Sequence, residues 1–207
     1  MYLRLYLVSS VIEYVIVIIM SSLFGLQHSG VSALRVKARI IDRWGKEGYS
    51  TIFTVTSILT LGAAFLSMNF WNWLYFIWDP TLIQPLLFIP GILAMIAGVI
   101  VAAKASKVIS VSTVADMRTD RKPELITGGL YAGIRHPLYL ATILAFGAIA
   151  LIYPFPIVFT FVISMIVYTL IGAYFEERKL ILHYGEEYLE YKKRAGFILP
   201  KLSSSES

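Results

Sequence analysis

Residues 82–103 contain no charged side chain, and about 20 predominantly apolar residues are what a helix needs to cross the hydrocarbon layer of a bilayer. Runs of the same character occupy 5–27, 51–70, 138–152 and 157–175. The run at 138–152 is the shortest. At ~1.5 Å per residue it makes only ~22 Å of helix, so it is thinly inserted, tilted against its neighbour or only partly lipid-facing. Pro154, Phe155 and Pro156 separate it from the last run, a break short enough to make the two an antiparallel helical hairpin. The first run is longer than a signal-peptide core, lacks a small-residue cleavage site and carries Glu13, so it reads as a retained helix.

Composition agrees with a membrane chain. Of 207 residues 57% are apolar and 15% charged, and mean hydropathy is +0.72; soluble domains run at about 45–50% and about 25%. There is no cysteine, which removes disulfides, thiolate zinc sites, iron–sulfur clusters and cysteine nucleophiles. The expected fold is all-α and integral to the membrane, with five transmembrane helices, the last two a hairpin, followed by a cytoplasmic C-terminal helix.

The net charge of +5 invites a nucleic-acid reading, and its distribution answers it. Arg35, Lys37, Arg39, Arg43 and Lys46 lie in the first connection, six basic residues from Lys104 to Arg135 in the third, and six from Arg178 to Lys201 after the last helix. The second and fourth connections have none. With five crossings these basic segments share one side, which the positive-inside rule makes the cytoplasm, leaving the N-terminus outside. The aromatic stretch 71–78 suits a headgroup layer on the far side. Membrane lipids, and no nucleic acid, are the partners that this charge implies.

Polar residues concentrate in two places. Leu125-Ile-Thr-Gly-Gly-Leu-Tyr131 is followed by Ile134-Arg-His-Pro-Leu-Tyr139, where the hairpin enters the membrane. Gly128 and Gly129 permit a positive-φ turn or a close approach to a ligand, and Pro137 suits the first turn of a helix. Arg135 and His136 then sit at a helix N-terminus, which either seats a ligand carboxylate or meets lipid phosphate. At the inner end of the last helix, Glu176 and Glu177 point about 100° apart, so one faces a cleft while the other pairs locally, or both are snorkelling ends of the span. Beyond them 183–194 reads as a surface helix, with Glu190 four residues before Arg194 and a packing stripe of Tyr184, Tyr188 and Tyr191. Glu13 within the first span and His28 at its inner end are further polar outliers; His28 lines a substrate mouth, ligates a haem or bonds to the interface. No motif for metal hydrolysis, nucleotide binding or esterase chemistry is present.

As a pair, these segments resemble the isoprenylcysteine carboxyl methyltransferase and phospholipid methyltransferase superfamily of integral-membrane enzymes. The residues that carry the likeness are Leu125, Ile126, Thr127, Gly129 and Tyr131, then Arg135, His136, Pro137 and Tyr139, then Glu176 and Glu177, and finally Gly185, Glu186, Tyr188, Tyr191 and Arg194. The resemblance implies S-adenosylmethionine as cofactor. It implies contacts from Leu125, Ile126, Tyr131, His136, Pro137, Leu138, Tyr139 and Glu176, with Arg135 and Glu177 as catalytic residues and no metal. Residues 1–103 are then a three-helix membrane part, 104–200 the catalytic part, and 201–207 a disordered tail. The prenylcysteine enzymes use an arginine one turn before the Glu pair, where this chain has Gly172. The N-terminal part, around Leu26-Gln-His-Ser29, is similar to methanethiol S-methyltransferases. The expected acceptor is a small or hydrophobic thiol, with a prenylcysteine or lipid as the alternative. A haem-binding isomerase like 15-cis-ζ-carotene isomerase, with His28 as axial ligand, is a rival from another class. A small channel or assembly factor is a third, but it leaves 127–139 unexplained.

Overall fold

The computed structural model describes residues 11–68, 79–108 and 125–201. The start of the first apolar run, the aromatic stretch 71–78, the basic residues Arg118, Arg121 and Lys122, and the tail from 202 onward lie outside the described residues. Six α-helices follow in order: α1 (Val11–Ser32), α2 (Leu34–Leu66), α3 (Pro85–Ser106), α4 (Pro137–Ile152), α5 (Pro156–Tyr184) and α6 (Glu186–Arg194). Short 3-10 turns stand at Pro80–Leu82 and Gly129–Ala132. Among the described residues there is no strand, and one isolated parallel bridge joins Ile134 to Gly196.

Four of these helices, α1, α2, α3 and α5, are long and apolar enough to cross a membrane; α4, at 16 residues, is shorter. Side chains such as Ile12, Leu86 and Val99 stand largely exposed, Leu86 at 88%. An apolar surface of this extent belongs against lipid. The chain is thus an all-helical integral membrane protein.

The first connection is not a loop. Apart from Ala33, which takes an extended conformation, and Gly45, 28–50 is helical, and α2 runs through its basic residues to Leu66. Arg35, Arg39 and Arg43 repeat at four-residue spacing on exposed positions, while Lys37 turns inward, its ammonium 5.4 Å from the Tyr49 ring. An amphipathic segment of that period is stable as a helix. Gly45 interrupts it with φ +72 and ψ 178, a backbone state that a side chain resists, and so splits α2 into 34–44 and 46–66.

Two compact units divide the chain. The first is Met1–Ile89 with Ile149–Tyr168. Within it α1 and α2 are joined by polar pairs: Gln27 Nε2 donates to Thr56 Oγ1 at 2.6 Å, Thr60 Oγ1 donates to Gln27 Oε1 at 3.1 Å, and His28 Nδ1 lies 3.2 Å from Ser57 Oγ. Such pairs satisfy polar side chains that lipid cannot. Phe24, Phe53 and Tyr168 surround the His28 ring. His28 thus takes part in the packing of α1 against α2.

The second unit is Pro90–Ala148 with Thr169–Ser207. Its core is Tyr184, Tyr188, Tyr191 and Ala195, packed by Leu125, Leu180 and Ile181. The tyrosine stripe is packing, as its spacing predicts. Gly185, at φ +61, ends α5 before the stripe is complete, so the surface helix begins at Glu186 rather than at 183. Glu190 pairs with Lys193 at 2.5 Å and not with Arg194, whose guanidinium lies over the Tyr191 ring.

Candidate functional site

The segment before α4 is shaped by two local choices. Gly129 adopts φ +60, and Val108 Cγ2 lies 3.1 Å from where its Cβ would stand, so both the conformation and the close approach favour glycine. The 3-10 turn that follows buries Tyr131, whose carbonyl accepts a 2.6 Å hydrogen bond from the Tyr191 hydroxyl. The chain then passes through Arg135 and His136 into Pro137, the first residue of α4. The His136 carbonyl accepts the first helical bond, from Leu140 N at 3.1 Å. His136 is thus the residue at the helix N-terminus, beside amides with no partner inside the helix.

Arg135 and His136 face the glutamate pair of α5. Arg135 Nε donates to Glu177 Oε1 at 2.5 Å, and its Nη1 donates to the Ala195 carbonyl at 2.5 Å. Lys192 Nζ reaches Glu177 Oε2 at 2.8 Å, and the Tyr188 hydroxyl donates to Oε1 at 3.3 Å. Both oxygens of Glu177 are therefore engaged, and its side chain is only 8% exposed. Glu176 differs. Its side chain is 41% exposed, with Oε2 3.9 Å from His136 Nδ1. The two carboxylates divide as the 100° rule requires, Glu177 pairing inside and Glu176 facing outward.

His136 is buried, and among the described residues its Nε2 has no hydrogen-bond partner; the nearest acidic oxygen there, Glu177 Oε1, is 3.6 Å away. Burial holds its pKa below the ordinary 6.5, against the pull of Glu176 and Glu177, so the ring is neutral near pH 7. Burial likewise pushes the Tyr131 and Tyr191 hydroxyls up to about 12.

The remaining predicted residues divide. Tyr139 stacks edge-on against His136 at 5.4 Å, with its hydroxyl 3.8 Å from where a Cβ of Gly172 would stand. Pro137 is fully buried, Leu138 is 38% exposed, Leu125 joins the tyrosine core and Ile126 is half-buried. Arg135, His136, Tyr139, Glu176 and Glu177 thus come together. Sequence reasoning missed Lys192 and Phe197, which touch Glu177 and His136 respectively; neither stands in a motif or at a periodic position that marks it.

This polar cluster is set at the first turn of an apolar helix in a membrane protein. Residues 86–187 match the phospholipid methyltransferase family. Methanethiol S-methyltransferase 1 of Bradyrhizobium diazoefficiens is 27% identical over 205 residues, covering 93% of this chain and 69% of that protein. Methanethiol S-methyltransferase of Pseudomonas deceptionensis is 37% identical over 73 residues, covering 35% of this chain and 27% of its own length. A second Bradyrhizobium diazoefficiens protein, Methanethiol S-methyltransferase 2, is 36% identical over 73 residues, with 35% and 27% covered. No solved structure matches the chain. The family match and the relatives together support placing residues 86–187 in the phospholipid methyltransferase superfamily of membrane methyltransferases.

Proposed function

We propose that this protein transfers a methyl group from S-adenosylmethionine to a small or hydrophobic thiol, with its site on the cytoplasmic side of a five-span membrane fold and its catalytic part in 104–200. The observation that carries this reading is the division of labour at the glutamate pair. Glu176 is a half-exposed carboxylate beside a buried imidazole whose Nε2 has no partner, at the N-terminus of α4. This donor set fits an amino-acid zwitterion: Glu176 suits an ammonium, and the His136 ring with the first amides of α4 suits a carboxylate.

A bound cofactor would supply an electrophilic methyl on a sulfonium, with the neutral thioether S-adenosylhomocysteine as leaving group and the thiol proton going to solvent. The protein's task is to align the reactants and exclude water. Glu176, His136 and Tyr139 hold the amino-acid end. Leu125, Ile126, Tyr131, Pro137 and Leu138 line the rest. Arg135 and Glu177, expected as catalytic residues, act through their neighbours: their mutual pairing holds His136 and α5 in register. Gly172 opposite Tyr139 leaves no fixed cation for an acceptor carboxylate, which disfavours a prenylcysteine, and the named activity of the relatives is consistent with a thiol.

The test is transfer of labelled methyl in liposomes to a small alkyl thiol, to N-acetyl-farnesylcysteine and to phosphatidylethanolamine. Thiol methylation is expected. Turnover of either other acceptor with none of any thiol would replace the acceptor class, and no transfer to any would overturn the methyltransferase reading.

A further inference from the structure

Phe197 lies in a short segment after α6 that forms no helix, and Gly196 and Phe197 are tied through the bridge at Gly196 to residues 133–136 just before α4. Gly196 N donates to Gly133 O at 2.9 Å, Arg135 N to Gly196 O at 2.8 Å and His136 N to Phe197 O at 3.1 Å. The bend beyond is tight: a Cβ at Gly196 would run into the Leu199 carbonyl. Lys201 Nζ then donates to the carbonyls of Lys192 and Lys193 at the end of α6, closing the segment onto that helix.

This register sets the Phe197 ring edge-on to the His136 imidazole, with centroids 5.0 Å apart and planes at 75°. The Arg135 guanidinium lies 5.6 Å from the same ring's centroid. The imidazole therefore has two aromatic neighbours, Phe197 and Tyr139. Its charged neighbours are Glu176 and Glu177 on α5 and Arg135 beside it, with Lys192 of α6 reaching it only through Glu177. Nothing hydrogen-bonds Nε2, so hydrogen bonding does not fix the ring at that atom. A histidine χ2 torsion is broad and roughly two-fold, and a flip would put Cδ2 in the place of Nδ1 and Cε1 in the place of Nε2, turning carbon rather than nitrogen toward the two carboxylates. The two rings then restrain the orientation beside the carboxylates at 3.6 and 3.9 Å.

We infer that Phe197 is a positioning residue of this site: its ring holds the His136 imidazole in the orientation that meets the cofactor, so cofactor affinity depends on a side chain that touches no cofactor itself. The inference rests on the reading of His136 as a cofactor contact. Because Phe197 also covers the ring, removing it lets water reach an imidazole that burial keeps neutral.

The experiment joins two measurements on the full-length protein in detergent. Histidine-labelled NMR follows the titration of His136 without ligand, its signal assigned with His28→Gln and His183→Gln. Calorimetry reads S-adenosylhomocysteine binding. In Phe197→Ala the His136 midpoint should rise toward the ordinary 6.5, and the affinity should fall roughly 2- to 12-fold. Phe197→Tyr, which keeps the ring, should restore both. Should Phe197→Ala fail to fold, Phe197→Leu keeps an apolar contact without a ring, and weaker binding than Phe197→Tyr is then the expected result. A His136 titration that does not move in Phe197→Ala overturns the inference, as does an unchanged affinity of that variant when the wild type binds. No binding by the wild type overturns the cofactor reading instead, and the ligand-free titration still decides whether Phe197 sets the state of His136.

Discussion

Arg135 Nε lies 2.5 Å from Glu177 Oε1 across 42 residues of sequence, and the two side chains are 6% and 8% exposed. This buried pair joins the turn before α4 to the inner end of α5. Ionic groups so far from water are stable only while paired, and losing one partner leaves an uncompensated charge. Glu177→Ala should therefore lower stability by about 3–5 kcal/mol. Its effect on S-adenosylhomocysteine affinity should be smaller than that of Glu176→Ala. Thermal unfolding and calorimetry of both variants check this; a stable Glu177→Ala protein that no longer binds would make Glu177 a direct ligand.

Stability should be level between about pH 6.5 and pH 10 and fall on either side. His136 has a folded-state pKa below 6.5, so as pH drops through that value the unfolded chain takes up a proton first, and stability is lost. Tyr131 and Tyr191 have values raised from 10.0 to about 12, so the unfolded chain ionises first as pH rises past 10, and stability is lost there too. Unfolding midpoints measured from pH 5 to 11 test both limbs. A midpoint that rises below pH 6.5 would contradict the buried neutral imidazole.

The orientation inferred from basic residues is open to direct labelling, because the chain has no cysteine. In intact cells Ser50→Cys and Ser203→Cys should resist an impermeant maleimide, and Gln84→Cys should react. Labelling of Ser50→Cys from outside would invert the topology.

At Gly172 an alanine should be accepted, since its Cβ would lie 3.8 Å from the Tyr139 hydroxyl, an ordinary contact. An arginine there has to displace Tyr139. Gly172→Arg should lower thiol turnover and raise the apparent KM for cofactor, while Gly172→Ala stays near wild type. Faster thiol methylation by Gly172→Arg would show that the position does not face the site.

The legible parts of this molecule were those with local causes. Apolar runs predict the long helices, Pro137 suits the place where α4 starts, and of Gly128 and Gly129, which both permit a positive φ, Gly129 takes it. The glutamate pair divides because adjacent helical positions diverge. Other parts depend on encounters that no local pattern encodes. Lys192 reaches Glu177 from 15 residues away, and Phe197 meets His136 through a backbone register set at 133–136. The first connection also misleads: basic residues between two apolar runs read as a loop, whereas amphipathic packing keeps 34–44 and 46–66 helical on either side of a break at Gly45.

The central claim is that His136 and Glu176 hold an S-adenosyl cofactor, and calorimetric titration of S-adenosylhomocysteine into the purified protein tests it most directly. Each residue should contribute a charge-assisted hydrogen bond of ~1.5–3 kcal/mol, so His136→Ala and Glu176→Ala should each weaken binding by roughly 10- to 150-fold without unfolding the protein. Saturable binding by the wild type, with that loss in both variants, is the predicted result. Wild-type affinity retained in both variants would contradict the placement of the cofactor.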